Sequence, residues 1–303
     1  PRRPPVLRST GRVALLAAPD DASTLTRPLP LGESGLLYVR PDGTVVRERS
    51  GGRASVDVGA LPDAKPRLVD EGRVALLGGA TDRYGHGALG DDIEGGRLVV
   101  LDVTGSGLRV VGDVRLERTV IEGLAPLVAG DEPALHVTES DHEGGARQVV
   151  YAADGSRIAA GPPIGQGFRW RHGICVAPFA PDGVPELAVV RTPHIGGTAE
   201  FYRLDGSELR IVATEPGVSS HELGSRVLDG GFAGDVDGDG RPELVAPDDA
   251  RTSLVVVERT AEGAETSARV PVGARVTSNL HAVRALTGLQ VGVGRRGGLR
   301  VWA

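Results

Sequence analysis

The sequence predicts an all-β fold built from one sheet unit repeated along the chain, and three observations predict it. Turn formers are abundant, with 45 glycines and 21 prolines in 303 residues, and no stretch keeps apolar residues at helical spacing for three turns, so helices are expected to be almost absent. Short apolar runs begin near Val13, Val74, Ala134, Leu187, Leu244 and Gln290, and each is followed by a second run near Leu37, Leu98, Val149, Phe201, Leu254 and Leu299. The unit therefore recurs about every 50 to 60 residues. Several second runs end in a hairpin signal, at Asp42-Gly43, Asp154-Gly155 and Asp205-Gly206, where glycine supplies the positive φ of a tight turn.

Taken in order, the repeats echo one another. The first repeat reads Pro5-x-Leu7-x-x-x-Gly11-Arg12-Val13-Ala14-Leu15-Leu16, and the second restates it as Pro66-x-Leu68-x-x-x-Gly72-Arg73-Val74-Ala75-Leu76-Leu77. In the fourth, Leu209-Arg210-Ile211-Val212 follows the Asp205-Gly206 turn as a further strand. The fifth repeats Ala18-Pro19-Asp20-Asp21-Ala22-Ser23-Thr24 as Ala246-Pro247-Asp248-Asp249-Ala250-Arg251-Thr252. The sixth ends in Gly298-Leu299-Arg300-Val301-Trp302-Ala303, which matches a third strand. With Pro5 to Thr10 already assigned to the first repeat, the last sheet is expected to hold three strands. Leu299 to Trp302 would then form an open edge that invites strand addition by a partner or a second copy.

The stretch Asp235-Val236-Asp237-Gly238-Asp239-Gly240-Arg241-Pro242-Glu243, running into Leu244-Val245-Ala246, carries the most specific chemistry. Acidic residues at every second position put carboxylates on one side of a tight turn, and hard oxygen ligands of this kind suit Ca2+. The closing acid falls at the ninth position and a strand follows, unlike an EF-hand, where it falls at the twelfth and a helix follows. This loop resembles the one in FG-GAP and VCBS repeats, the calcium-loop blades of β-propellers such as the integrin α-subunit head. The resemblance implies a six-bladed β-propeller, with seven blades as the alternative, made of four-stranded antiparallel blades and an incomplete last one. Residues 1–303 would form a single domain. It also implies that Asp235, Asp237, Asp239 and Glu243 give side-chain oxygens to the ion and Arg241 its carbonyl, as a structural clip. The fourth repeat keeps the later acids in Pro178-Phe179-Ala180-Pro181-Asp182-Gly183-Val184-Pro185-Glu186, and the third keeps less in Gly130-Asp131-Glu132-Pro133. One filled site is expected, the decayed copies being plain turns.

The formal charge of -6 and the lack of a basic stripe argue against nucleic acid, and no apolar run approaches membrane-spanning length. The single cysteine, Cys175, excludes an internal disulfide and lies in an apolar run, which reads as a buried, inert thiol. Lys65 is the one lysine among 34 basic residues, so lysine-based catalysis is not expected. With Pro1 first and no methionine, the chain reads as a mature or trimmed form. Loops of this kind fill at the calcium levels outside the cytoplasm, and the resemblance points the same way, to an extracellular or periplasmic bacterial protein.

If the strands of each blade run outward from the axis, the connections after the second and fourth strands share one face. That topology places His86, His142 and His194 in loops after second strands, and puts His172, His221 and His281 at or before first strands. His136 falls inside a strand. Arg169, Trp170 and Arg171 join His172 at the same mouth, a composition suited to an anionic or sugar-like group, and Asn279 arrives with His281. No close HxH or HxxxH pair supports a transition metal. Three function classes follow: a non-catalytic binding module for a protein partner or an anionic or sugar-like ligand; a polysaccharide lyase or hydrolase using a mouth histidine as base with Arg169 or Arg171; and a metal or cofactor protein on the histidine face.

Overall fold

Strands of four to ten residues separated by glycine turns dominate the computed structural model, which describes residues 6–9, 13–16, 18–32, 35–130, 132–285 and 288–302. No α-helix occurs among the described residues. The hairpin β1 (Val6–Ser9) and β2 (Val13–Leu16) forms a two-stranded sheet. A four-stranded sheet follows from β3 (Leu29–Pro30), β4 (Leu36–Val39), β5 (Thr44–Arg49) and β6 (Gly52–Asp57). The next comprises β7 (Arg67–Leu68), β8 (Arg73–Thr81), β9 (Glu94–Asp102) and β10 (Arg109–Arg115), all antiparallel. Then come β11 (Val120–Ala129), β12 (Ala134–Ser140), β13 (Arg147–Ala152) and β14 (Arg157–Ala160), followed by β15 (Arg171–Ala177), β16 (Glu186–Arg191), β17 (Thr198–Asp205) and β18 (Glu208–Pro216). These twelve strands, β7 to β18, are assigned to one sheet, and a second four-stranded sheet is β19 (Phe232–Gly234), β20 (Glu243–Pro247), β21 (Ser253–Arg259) and β22 (Ala264–Pro271). The chain closes with the three strands β23 (Val276–Ala285), β24 (Gly288–Arg295) and β25 (Gly298–Trp302).

The Val13 and Leu37 runs, which follow one another in the first repeat, lie in different sheets among the described residues. Among the described residues β2 pairs with β1, whereas β4 takes β3 as one neighbour through Leu29↔Leu37 and β5 as the other. The short strand at Leu29–Pro30, which has no apolar run to announce it, supplies the first strand of that sheet. The Pro5, Thr10, Gly11 and Arg12 ends of the expected echo, together with Asp131 and Ala303, lie outside the described residues.

Two compact units emerge. The first comprises Pro1–Gly85, Asp92–Asp141 and Val150–Ile158, and the second His86–Asp91, His142–Val149 and Ala159–Ala303. In the first, Leu37, Val39 and Val45 pack against Val74, Leu76, Val99 and Leu101. Alternate side chains of a strand face opposite sides, and the second unit uses both faces of β20 and β21. Leu244, Ala246, Val255 and Val257 pack with Val190, Ala199 and Phe201 on one side, while Val245, Leu254 and Val256 pack with Val276, Leu280 and Val293 on the other. Cys175 packs at the edge of the first of these cores, and burial pushes its thiol up to about 12, so it is inert.

His136 lies in β12 opposite Leu127, the strand residue its apolar run predicts. Its Nδ1 is buried without a partner, and burial holds its pKa down to about 4. The unfolded chain takes up this proton first as pH falls below the usual imidazole value of about 6.5, so the folded state loses stability through the window down to about 4. His136→Leu is expected to raise the thermal midpoint at pH 5 relative to the parent and to change it less at pH 7.5. An equal effect at both values would show that the imidazole does not titrate in this window.

Candidate functional site

Residues 235–242 join β19 to β20, the first and second strands of their sheet. The glycines fold the loop: Gly238 and Gly240 hold φ of 88° and 90°, and both amides turn onto Asp235, with Oδ1 accepting Gly238 N–H at 2.7 Å and Oδ2 accepting Gly240 N–H at 3.2 Å. Asp237 Oδ1 accepts Asp239 N–H at 3.0 Å. One carboxylate oxygen from each of Asp235, Asp237 and Asp239 lies within 4.8 Å of the others, a separation one ion can bridge. Glu243 stands outside this group. It is 2 % exposed, its Oε2 accepts Val236 N–H at 2.9 Å, and among the described residues no guanidinium pairs with it. Burial, reinforced by the charges of Asp237, Asp239 and Asp235, holds its carboxyl above the usual range. Arg241 contributes its guanidinium, donating to Asp239 Oδ2 at 2.7 Å and Glu258 Oε1 at 3.2 Å. The Arg241 amide and guanidinium together hold Asp239 below the usual carboxylate range. The donor set is hard, anionic and oxygen-only, which fits Ca2+.

The second unit also gathers most of the histidines. His172 opens β15, His194 follows β16, His221 follows β18, and His86 and His142 lie in short loop segments of the same unit. Trp170 is the hub, stacked on His172 with ring centroids 4.8 Å apart and meeting His221 edge-on at 4.9 Å and His194 at 6.5 Å. His194 lies 5.8 Å from His221 and 6.2 Å from His86. Phe168 extends the cluster, 5.9 Å from His86 and 5.2 Å from His142. Two strained residues aim these rings: Phe168 and Thr192 adopt φ of 54° and 48°, a region costly for any side chain and most for a β-branched one. Thr192 N–H donates to the Trp170 carbonyl at 2.8 Å, which ties the two loops together.

Hydrogen bonds fix the chemistry of the rings. His221 Nε2 lies 2.7 Å from the Ser225 carbonyl, which can only accept, so Nε2 carries the proton and Nδ1 is left as an acceptor. That Nδ1, His194 Nδ1 and the Trp170 indole N–H are all buried without a protein partner. His172 Nδ1 meets Ser220 Oγ at 2.8 Å. Burial holds His221 below its ordinary value, and burial with the neighbouring His221, His86 and Arg169 holds His194 at about 4. Both are neutral at pH 7. No group of three histidines lies within reach of a single ion among the described residues.

Three expected site residues do other work. Arg171 is buried, its Nε donating to Glu200 Oε2 at 2.9 Å and its Nη1 to the carbonyls of Ala146 and Pro162, so it is a core ion pair rather than a ligand grip. Asn279 exchanges hydrogen bonds with Asp229 and pins that turn. His281 is exposed in the middle of β23, paired with Gly292, and among the described residues no ring contact joins it to the cluster. Arg169 remains half-buried beside Phe168, with Nη1 donating to the Phe168 carbonyl. Ser220, Ser225 and Thr192 were not legible as site residues, since serine and threonine loops carry no pattern that marks them.

No protein-family model matches the chain, and no curated protein matches its sequence. Solved structures do. The fold is similar to that of a functionally unknown protein from Desulfotomaculum acetoxidans DSM 771, with a TM-score of 0.54 and 12% identity over 88% of this chain and 73% of that one. It is also similar to BamB from Moraxella catarrhalis, with a TM-score of 0.52 and 13% identity over 96% of this chain and 75% of that one. At this identity the likeness shows the fold alone, and the fold is that of a β-propeller. No helix among the described residues is long and apolar enough to cross a membrane.

Proposed function

We propose that this chain is a non-catalytic binding module of the FG-GAP and VCBS type, a six-bladed propeller clipped by one calcium ion, that takes a sugar-like ligand outside the cytoplasm at the Trp170 and histidine cluster. One observation carries the reading: the Trp170 indole N–H and the Nδ1 atoms of His194 and His221 are buried without protein partners. Such groups cost free energy unless they are hydrogen-bonded, and a hydroxyl can accept from the indole while donating to an imidazole. The exposed ring of Phe168 suits the apolar side of a sugar ring, while Trp170, 1 % exposed and stacked on His172, would offer its indole N–H rather than its face. Neutral imidazoles and the commitment of Arg171 to Glu200 favour an uncharged ligand over an anionic one, with Arg169 as the remaining cation. Asp235, Asp237 and Asp239 would hold the ion, which supplies the positive charge the loop lacks, and their spacing supports an extracellular or periplasmic setting, where weak calcium modules fill.

Trp302→Phe leaves Trp170 as the sole indole, so its emission reports the site directly. Titration with neutral and acidic mono- and disaccharides is expected to give a saturable change with a neutral sugar. His221→Phe should weaken that binding about tenfold, the loss of one buried hydrogen bond. Binding of acidic sugars alone would replace this reading with one centred on Arg169, and no response to any sugar would end it.

A further inference from the structure

The decayed loop of the fourth repeat, residues 178–186, sits at the same place in its sheet as the acidic loop of the fifth. The sequences align as Asp182-Gly183-Val184-Pro185-Glu186 with Asp239-Gly240-Arg241-Pro242-Glu243. The strand registers agree, since Leu187 faces Tyr202 and Leu244 faces Val257. Arg203, one residue beyond Tyr202, is therefore the counterpart of Glu258, one residue beyond Val257. The two positions carry opposite charges.

The surroundings of the two buried glutamates differ accordingly. Glu186 is fully buried and meets two guanidiniums: Arg203 Nη2 donates to its Oε1 at 2.6 Å, and Arg259 Nε donates to its Oε2 at 2.9 Å. Arg203 also reaches Asp182, with Nη1 donating to Oδ2 at 2.7 Å and Nη2 to Oδ1 at 3.3 Å. One side chain thus spans the two acids that correspond to Asp239 and Glu243. In the fifth repeat Glu243 is 2 % exposed with no guanidinium on it, three aspartates crowd the loop, and the strand position holds a further acid, Glu258, turned to Arg241. A buried carboxylate needs a compensating charge. The fourth repeat supplies one covalently.

We infer that Arg203 is the resident cation of the fourth-repeat loop, standing where a divalent ion stands in the fifth, and that the residue at this strand position determines whether a loop depends on calcium. The half concerning the fifth repeat rests on the calcium reading above; the half concerning the fourth does not. Loss of the first two acids, replaced by Pro178 and Ala180, fits an occupant of charge +1 that needs fewer anions around it. Arg259, from the following sheet, neutralises what remains of Glu186.

The test exchanges the two positions and reads thermal midpoints with calcium and with chelator. Glu258→Arg combined with Arg241→Val copies the fourth-repeat pattern into the fifth and is expected to cut the calcium-induced rise in midpoint to less than about half of the parent's. A rise as large as the parent's overturns the inference. Arg203→Glu is expected to melt lower in chelator and to gain more from calcium than the parent does, and Arg203→Gln serves where the glutamate variant does not fold. If Arg203 variants respond to calcium no more than the parent, the guanidinium is an ordinary ion pair and the inference fails. A parent indifferent to calcium would overturn the calcium reading of the fifth repeat, while the Arg203 variants still decide the fourth.

Discussion

Breaking the buried ion pair of Arg171 is expected to cost about 3 to 5 kcal/mol, the loss found when one partner of a buried pair is removed. Arg171 and Glu200 are both nearly inaccessible, at 6% and 3% side-chain exposure, so neither charge has water to return to. Glu200 is the centre of the network: its Oε2 also accepts the Tyr202 hydroxyl at 2.6 Å, and its Oε1 lies 3.1 Å from Arg191 Nε. Burial first, and then the Glu200 charge, holds the Tyr202 hydroxyl above its ordinary range, so it stays a donor. Arg171→Met removes the guanidinium and leaves Glu200 short of charge and the Pro162 carbonyl without the Arg171 donor, while the Ala146 carbonyl keeps the Ile164 N–H at 3.0 Å. The neighbouring Arg169→Met should change stability by less than about 0.5 kcal/mol, as surface substitutions do. Urea unfolding of the two variants checks both statements. An Arg171→Met protein within about 1 kcal/mol of the parent would show that this pair is not what holds β15 to β17.

Removing calcium is expected to lower the thermal midpoint by about 5 to 10 °C. An ion present at about 100 times its dissociation constant stabilises by about 2.7 kcal/mol, and for a chain of this size each kcal/mol moves the midpoint by about 2 to 4 °C. Asp237→Ala isolates the cause. Asp237 is exposed and its carboxylate makes one hydrogen bond, to the Asp239 amide, so its loss should barely alter the chelated protein while abolishing most of the response to calcium. Should the parent melt identically with and without chelator, the loop is held by Arg241 on Asp239 and by the turn amides alone.

Particular residues show how far the sequence carries. His194 and His221 were placed by strand order, because loops after second and fourth strands are set by counting strands, and the rings do lie 5.8 Å apart. His281 was placed by the same count, but it lies in the middle of β23 rather than before it and makes no ring contact with the cluster among the described residues. Arg171 and Arg169 are two residues apart and look alike in sequence. Which one is buried depends on Glu200, which lies two strands away in β17. The strand at Leu29–Pro30 was not legible for a related reason: it is too short and too proline-bound to read as a strand, yet it pairs with Leu36 and Leu37.

The sequence by itself determined the all-β class, the spacing of the sheet units, the hairpin turns and the acidic loop, because each depends on residues close along the chain: a period of two, a glycine at positive φ, carboxylates at alternate positions. The tertiary structure decided which charges are compensated. Glu186 and Glu243 occupy the same place in the same local sequence, and only the strand packed against each shows that one meets Arg203 and Arg259 while the other meets no guanidinium. It likewise decided that Trp170, His194 and His221 keep buried polar atoms unpartnered. Burial and charge pairing are sums over neighbours brought from distant parts of the chain, and local pattern carries no record of them.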